Sequence, residues 1–147
     1  MTGEHKHSAN LTYWIITIIF LIWNAFGGYD YVMTRTRNSD YLRNMGDPQV
    51  LLGWIDSFPL WAQICWPLGV WSSVAGSVLM LLRSRHAVGA FALSFAAALA
   101  SFAYQWSASP PAALDTPANQ AMPLVILALI AFLWWYCRRM TDRKVLA

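Results

Sequence analysis

The sequence predicts an all-α integral membrane protein in which four transmembrane helices form an antiparallel bundle and both termini face the cytoplasm. Only 12% of the 147 residues are charged and 58% are hydrophobic, whereas soluble domains are about 25% charged. The charged residues also leave four uncharged stretches of 22 to 29 residues. A hydrocarbon core about 30 Å thick needs about 20 helical residues, so each stretch can cross the membrane once. These stretches are His7–Tyr29, Ser57–Leu82, His86–Leu114 and Thr116–Cys137.

The stretches fill the chain as a single membrane domain over residues 1–147, with no room for a soluble catalytic or nucleotide-binding domain. They also lack the alternation of polar and apolar residues that is typical of a transmembrane barrel. The first helix is predicted over about residues 11–33, and Ser8 or Asn10 can cap its start.

The outer loop, residues 34–57, is predicted to contain two short helices because its turn residues are regularly placed. Asn38 or Ser39 can cap a first turn, which Gly46 would stop. Asp47 can then cap a second turn that Pro48 opens.

The remaining three helices are predicted at about residues 59–82, 87–106 and 120–138. Pro67 removes one backbone hydrogen bond from the second helix and is expected to kink it. Small residues recur along the second and third helices, which predicts close backbone approach between them. These residues are Gly69, Ser72, Ser73, Gly76, Ala90, Ser94, Ala97, Ala98 and Ser101.

The basic residues predict the orientation. With the amino terminus inside, seven lysines and arginines lie on the inner side and three on the outer side, which follows the positive-inside rule. The outer three are Arg35, Arg37 and Arg43. The net charge of +3 is therefore interpreted as a topology signal, and no nucleic-acid partner is expected.

Residues that could support catalysis or hold a metal are sparse. No acidic or basic residue is expected near the bilayer midplane, and Cys65 and Cys137 lie too far apart for a disulfide. His5 and His7 belong to a polar tail, for which a plain solvated role is favoured over metal binding. We therefore expect no enzyme activity, no metal and no resident cofactor, although bound lipid, quinone or carotenoid is compatible with the aromatic content.

Polar residues within the helices gather toward the outer side, and two interpretations remain open. They can form an outward-facing polar pocket, or they can serve the fold, with Asn24 bonding a neighbouring helix and Asp30 pairing with Arg35 or Arg37. The candidate pocket residues are Asn24, Asp30, Tyr31, Arg35, Arg37, Gln63, Tyr104 and Gln105.

Tryptophan is in excess, with nine residues. Most are expected in the aromatic belts at the two membrane surfaces, while Trp23 and Trp71 lie deeper. Trp71, Trp134 and Trp135 are the candidate contacts for a partner or for lipid.

Residues 23–38 read WNAFGGYDYVMTRTRN and are followed by Tyr41-Leu42. Together with Phe58-Pro59, Gly69-Val70-Trp71 and the turn at residues 82–85, this stretch resembles the signature of a family of small four-helix bacterial inner-membrane proteins. The likeness covers most of the chain except the tails. It implies a location in the bacterial inner membrane, and members are often labelled as sugar transporters.

The leading functional hypothesis is a non-catalytic accessory or structural subunit that packs on a larger inner-membrane complex of respiratory or photosynthetic type. It rests on the short loops, the apolar fourth helix, the tryptophans and the absence of cofactor ligands. The alternative is a small-solute, sugar-like transporter or channel that uses the outer polar pocket. The expected partners are membrane lipids and either other membrane subunits or further copies of the chain.

Overall fold

The computed structural model describes residues 8–147, which are 76% helical and contain no strand. Four of the six helices are long and apolar enough to cross a membrane, so the predicted all-α class is confirmed. The helices are α1 (Leu11–Arg35), α2 (Ser39–Leu42), α3 (Pro48–Asp56), α4 (Leu60–Leu81), α5 (Ala87–Ser107) and α6 (Pro117–Asp142).

The four long helices follow one another as an antiparallel bundle. The helix α4 packs against both α1 and α5, and α5 packs in turn against α6. Contact between α4 and α5 is the most extensive, which confirms the prediction that these two helices form the tight pair. The start of α1 and the ends of α4 and α6 meet at one end of the bundle, which we call the terminal end.

Small side chains allow α4 and α5 to approach closely. The Ser94 Oγ donates a hydrogen bond to the Gly69 carbonyl across the pair, at 2.7 Å. Further along, the Phe91 ring lies against the bare Cα of Gly76 and is fully buried. Lipid is as apolar as the helix surfaces, so the hydrophobic effect does not drive this contact. The interhelical hydrogen bond and the close packing of the Phe91 ring stabilise it instead.

The helix α6 is longer than the predicted span of residues 120–138. Thr116 caps its start by accepting a hydrogen bond from the Asn119 N–H, at 3.2 Å, and Pro117 occupies the first helical position. A threonine followed by proline is a helix start rather than loop, because proline lacks the N–H that the first turn leaves unpaired. At the other end, α6 continues past Arg138 to Asp142.

Residues 143–147 fold back against the core of the bundle after the end of α6. Lys144 has a φ of 56°, which turns the chain after α6, and Val145 and Leu146 are buried. The Ala147 N–H donates to the Arg83 carbonyl at 3.0 Å, and the Arg85 N–H donates to the Ala147 carbonyl at 3.1 Å. We call residues 143–147 the C-terminal return.

The core at the terminal end joins the C-terminal return to the first helix. Tyr13 is fully buried there, and its hydroxyl donates to the Met80 carbonyl at 2.5 Å. The Tyr13 and Tyr136 rings stack with their centroids 6.3 Å apart. This arrangement gives the buried phenol its hydrogen-bond acceptor and fixes α1 on α4.

The long loop over residues 34–57 forms the two short helices expected from its turn residues. The Asn38 side chain accepts from the Tyr41 N–H at 3.0 Å, and the Asp47 side chain accepts from the Gln49 N–H at 2.8 Å. Both predicted N-caps are confirmed, with Asn38 rather than Ser39 capping α2.

Candidate functional site

Asn24 faces α4 and is 6% exposed. Its amide nitrogen donates to the Ser77 Oγ at 2.7 Å and lies 3.4 Å from the Ser73 carbonyl. One turn later, Gly28 packs against the Trp71 ring and Val74. The Asn24 side chain therefore links α1 to α4 through a buried hydrogen bond.

We expect Asn24→Ala to lower the free energy of unfolding by about 0.6 kcal/mol, the average for hydrogen bonds between membrane helices, and by at most about 1.7 kcal/mol. Unfolding by denaturing detergent, followed by helical circular dichroism, measures the change. Ser77→Ala and the double variant complete a mutant cycle, in which the two effects should be non-additive. Additive effects would show that the two side chains do not interact.

Asp30 lies near the carboxyl end of α1 and accepts a hydrogen bond from the Tyr41 hydroxyl at 2.7 Å. The Tyr41 ring also packs edge-on against Tyr29, with centroids 5.6 Å apart. Burial raises the pKa of Tyr41 from 10 to about 12, and the Asp30 carboxylate acts in the same direction. A phenolate beside a carboxylate would lose its hydrogen bond and meet a like charge.

The Tyr41 contact should depend on pH at the alkaline end. Because its folded-state pKa lies above the unfolded value, the protonated phenol stabilises the loop fully below pH 10, and this contribution is lost as the pH rises through about 12. The phenolate absorbance of the parent chain minus that of Tyr41→Phe isolates the titration. A difference curve centred at 10 would mean that the contact is absent in solution.

Arg35 and Arg37 do not pair with Asp30. The Arg37 guanidinium instead pairs with Asp56 at the end of α3, where its Nη2 donates to both carboxylate oxygens at 3.0 Å. Arg35 is exposed in the last turn of α1. The expected pairing of Asp30 with Arg35 or Arg37 is therefore wrong, because the loop brings a hydroxyl to Asp30 and a carboxylate to Arg37.

Tyr31 belongs to an aromatic cluster between α1 and α4. Its ring packs edge-on against Trp66 and Trp71, with centroid distances of 5.1 and 6.2 Å. Gly28, which contacts the Trp71 ring and Val74, extends this cluster toward the middle of the helices.

The other predicted pocket residues lie on α4 and α5. The Gln63 amide donates to the Phe58 carbonyl at 2.9 Å, while the Gln105 amide lies 3.4 Å from the Ser101 hydroxyl. The Tyr104 ring packs between Phe58 and Trp61, with centroids 5.1 and 5.4 Å away. The structure thus distributes seven of the eight candidate residues among separate contacts, and leaves Arg35 exposed.

The three tryptophans selected as contact residues differ in exposure. Trp71 is 46% and Trp135 is 52% exposed, whereas Trp134 is partly buried against Phe95. Arg139 lies over the Trp135 ring, 5.5 Å from its centroid. Trp71 and Trp135 are therefore the two that present large aromatic area to the surroundings.

A groove between the first and last spanning helices was not predicted from sequence. At the terminal end α1 and α6 meet through rings, including Phe20 with Phe132, and do not pack closely along their backbones. The space left between them is about 730 Å³. This α1–α6 groove is lined by Ser8, Asn10, Thr12, Tyr13, Phe132, Trp135, Tyr136, Arg139, Met140, Arg143 and Val145.

The sequence carried one sign of this groove, the i, i+4 spacing of Arg139 and Arg143, which places both on one face of a helix. This spacing is helical only because α6 continues to Asp142, four residues beyond the predicted end. The contribution of α1 could not be inferred, because helix neighbours were unknown.

Within residues 8–147, no three histidine, cysteine or acidic side chains lie close enough together to hold a metal ion. Cys65 and Cys137 are free thiols. The tail histidines His5 and His7 lie outside the described residues.

The fold is that of a multi-pass membrane protein with four helices long and apolar enough to span, and the buried side chains of Asn24 and Ser94 bond between these helices. No protein-family model, curated protein or solved structure matches the chain.

Proposed function

We propose that this protein is a non-catalytic accessory subunit that packs through its membrane-facing surface on a larger assembly in the bacterial inner membrane. The observation that carries the proposal is the position of Trp71. It lies at the middle of the 22-residue α4, yet 46% of it is exposed. At 1.5 Å per residue it is about 16 Å from the start of the helix, far from either membrane surface.

Tryptophan in a lipid-facing position favours the interface, where its N–H can meet water or headgroups. A half-exposed indole at mid-depth is better accommodated by a protein surface, which supplies both shape and hydrogen-bond acceptors. Trp23 repeats the pattern at the middle of the 25-residue α1, with 41% exposure. Two exposed tryptophans at mid-depth support partner contact on the α1 and α4 side of the bundle.

The proposed orientation places the terminal end in the cytoplasm. Six basic residues of the described chain belong to this end: Arg83, Arg85, Arg138, Arg139, Arg143 and Lys144. The positive-inside rule favours this side for them. The resemblance to small bacterial inner-membrane proteins supports the same membrane.

We expect Trp71→Ala to weaken association with the partner by about 2 kcal/mol or more, as for a buried aromatic hot spot. The tagged chain is extracted in mild detergent and its share in a large assembly is measured on native gels. Trp106→Ala is the control, because Trp106 is similarly exposed but lies at the end of α5.

A lone monomer without co-purifying subunits would overturn the proposal. Equal loss of association in the Trp71 and Trp106 variants would remove the special role of the mid-depth site. Circular dichroism of both variants establishes that each is folded.

Transport of a small sugar-like solute has weaker support. Asn24 is engaged with Ser77, Asp30 with Tyr41, and Arg37 with Asp56, so these polar groups serve contacts within the chain. Uptake by vesicles that contain the purified chain, abolished by Asn24→Ala and Asp30→Asn, would favour transport instead.

A further inference from the structure

We propose that the α1–α6 groove binds one anionic phospholipid, with the headgroup phosphate against Arg139 and Arg143 and an acyl chain along the Phe132 and Trp135 rings. The inference concerns a surface separate from Trp71 and does not depend on the accessory role. It rests on the shape of the groove, on its charge and on the order of its residues along the membrane normal.

The volume of the groove suits a single lipid or part of one. At about 730 Å³ it falls within the range of about 300–1,000 Å³ that small-molecule sites occupy. The stacked rings of Tyr13 and Tyr136, together with Phe132 and Trp135, form its apolar lining. An acyl chain can therefore lie against a continuous aromatic wall.

The charge of the groove is positive. Arg139 and Arg143 lie one helical turn apart, both are exposed, and neither forms an ion pair with another residue in the range 8–147. No carboxylate is among the described residues that line the groove. Arginine donors match phosphate oxygens in bidentate geometry, so an anionic phosphodiester is the complementary occupant.

The order of residues matches the order of groups in a phospholipid. Phe132 lies seven residues before Arg139, which places its ring about 10 Å deeper along the helix axis. Trp135 lies between them, with Arg139 over its ring. Ser8, Asn10 and Thr12, at and just before the start of α1, line the same groove and add polar groups at the headgroup level. Basic pockets between membrane helices at this depth bind anionic headgroups.

Native mass spectrometry of the purified full-length chain tests the proposal. Dioleoyl phosphatidylglycerol and dioleoyl phosphatidylcholine, which share acyl chains and differ in headgroup charge, are added separately and in competition. We expect one phosphatidylglycerol to bind in preference. R139Q/R143Q should weaken its binding by about 25-fold, because each basic side chain near an anionic surface contributes about fivefold.

The matched control is R138Q/K144Q, which removes the same charge at the same end from two residues outside the groove lining. It should retain the preference. R139K/R143K, which keeps the charge, should also retain it and covers the case in which the glutamine variant fails to fold.

Three results would overturn the proposal. Equal binding of phosphatidylcholine would indicate nonselective lipid contact, and equal losses in R139Q/R143Q and R138Q/K144Q would indicate attraction by overall charge. A dimer that dissociates in R139Q/R143Q would assign the groove to a second copy of the chain.

Discussion

Replacing Gly76 by alanine is expected to lower the free energy of unfolding by about 1–3 kcal/mol, the usual cost of overpacking a close-packed interior. A Cβ at this position would lie 2.8 Å from the Phe91 Cζ and 2.9 Å from its Cε2. The Phe91 ring is fully buried, so it cannot swing into open space to relieve the contact. Either the ring or the α4–α5 separation must change.

The matched control is Gly89→Ala, because Gly89 lies in the facing helix α5 with nothing within 4 Å of an added Cβ. There the change should be neutral or stabilising by up to about 1 kcal/mol, since alanine is the better helix former. Both variants are compared by detergent unfolding, followed by helical circular dichroism.

Phe91→Leu supplies the second arm of a mutant cycle. The smaller side chain should relieve part of the cost of Gly76→Ala, which gives a coupling energy between the two positions. Simple additivity, or a stabilising effect of Gly76→Ala alone, would contradict the close approach of this ring to α4.

Replacing Leu146 by alanine is expected to cost about 2–5 kcal/mol of local stability, as for other buried leucines. Leu146 is 2% exposed and packs in the same core as Tyr13, Met80 and Phe91. Because the C-terminal return is short, the loss should appear as local opening of this segment rather than as unfolding of the bundle.

Limited trypsin digestion in detergent measures this opening, because Arg143 and Lys144 lie directly before the buried residues. Leu146→Ala should accelerate cleavage there while total helicity stays unchanged. Leu124→Ala is the control, since Leu124 is exposed on α6. Equal cleavage rates in the parent chain and in Leu146→Ala would mean that the return is already detached.

The sequence supported good predictions wherever a local rule applied. The Asn38 and Asp47 caps follow from short polar side chains before a helical turn. The α4–α5 pair follows from small residues at helical spacing. The prediction for Asp30 failed because its partner, Tyr41, is eleven residues away. Whether Asp30 meets Tyr41 or one of the nearby arginines depends on how residues 34–57 fold over the end of α1.

The sequence by itself determined the class of this protein and the number of its spanning helices. Their number follows because an apolar layer about 30 Å thick admits only long uncharged helices. Only the tertiary structure decided which groups share a surface. In the folded chain, Val145 and Leu146 are buried in the core and Asn24 bonds to Ser77. A groove lined by arginines and aromatic rings lies between α1 and α6. The physical reason is that hydropathy depends on each residue's own side chain, whereas a contact depends on residues far apart in the chain.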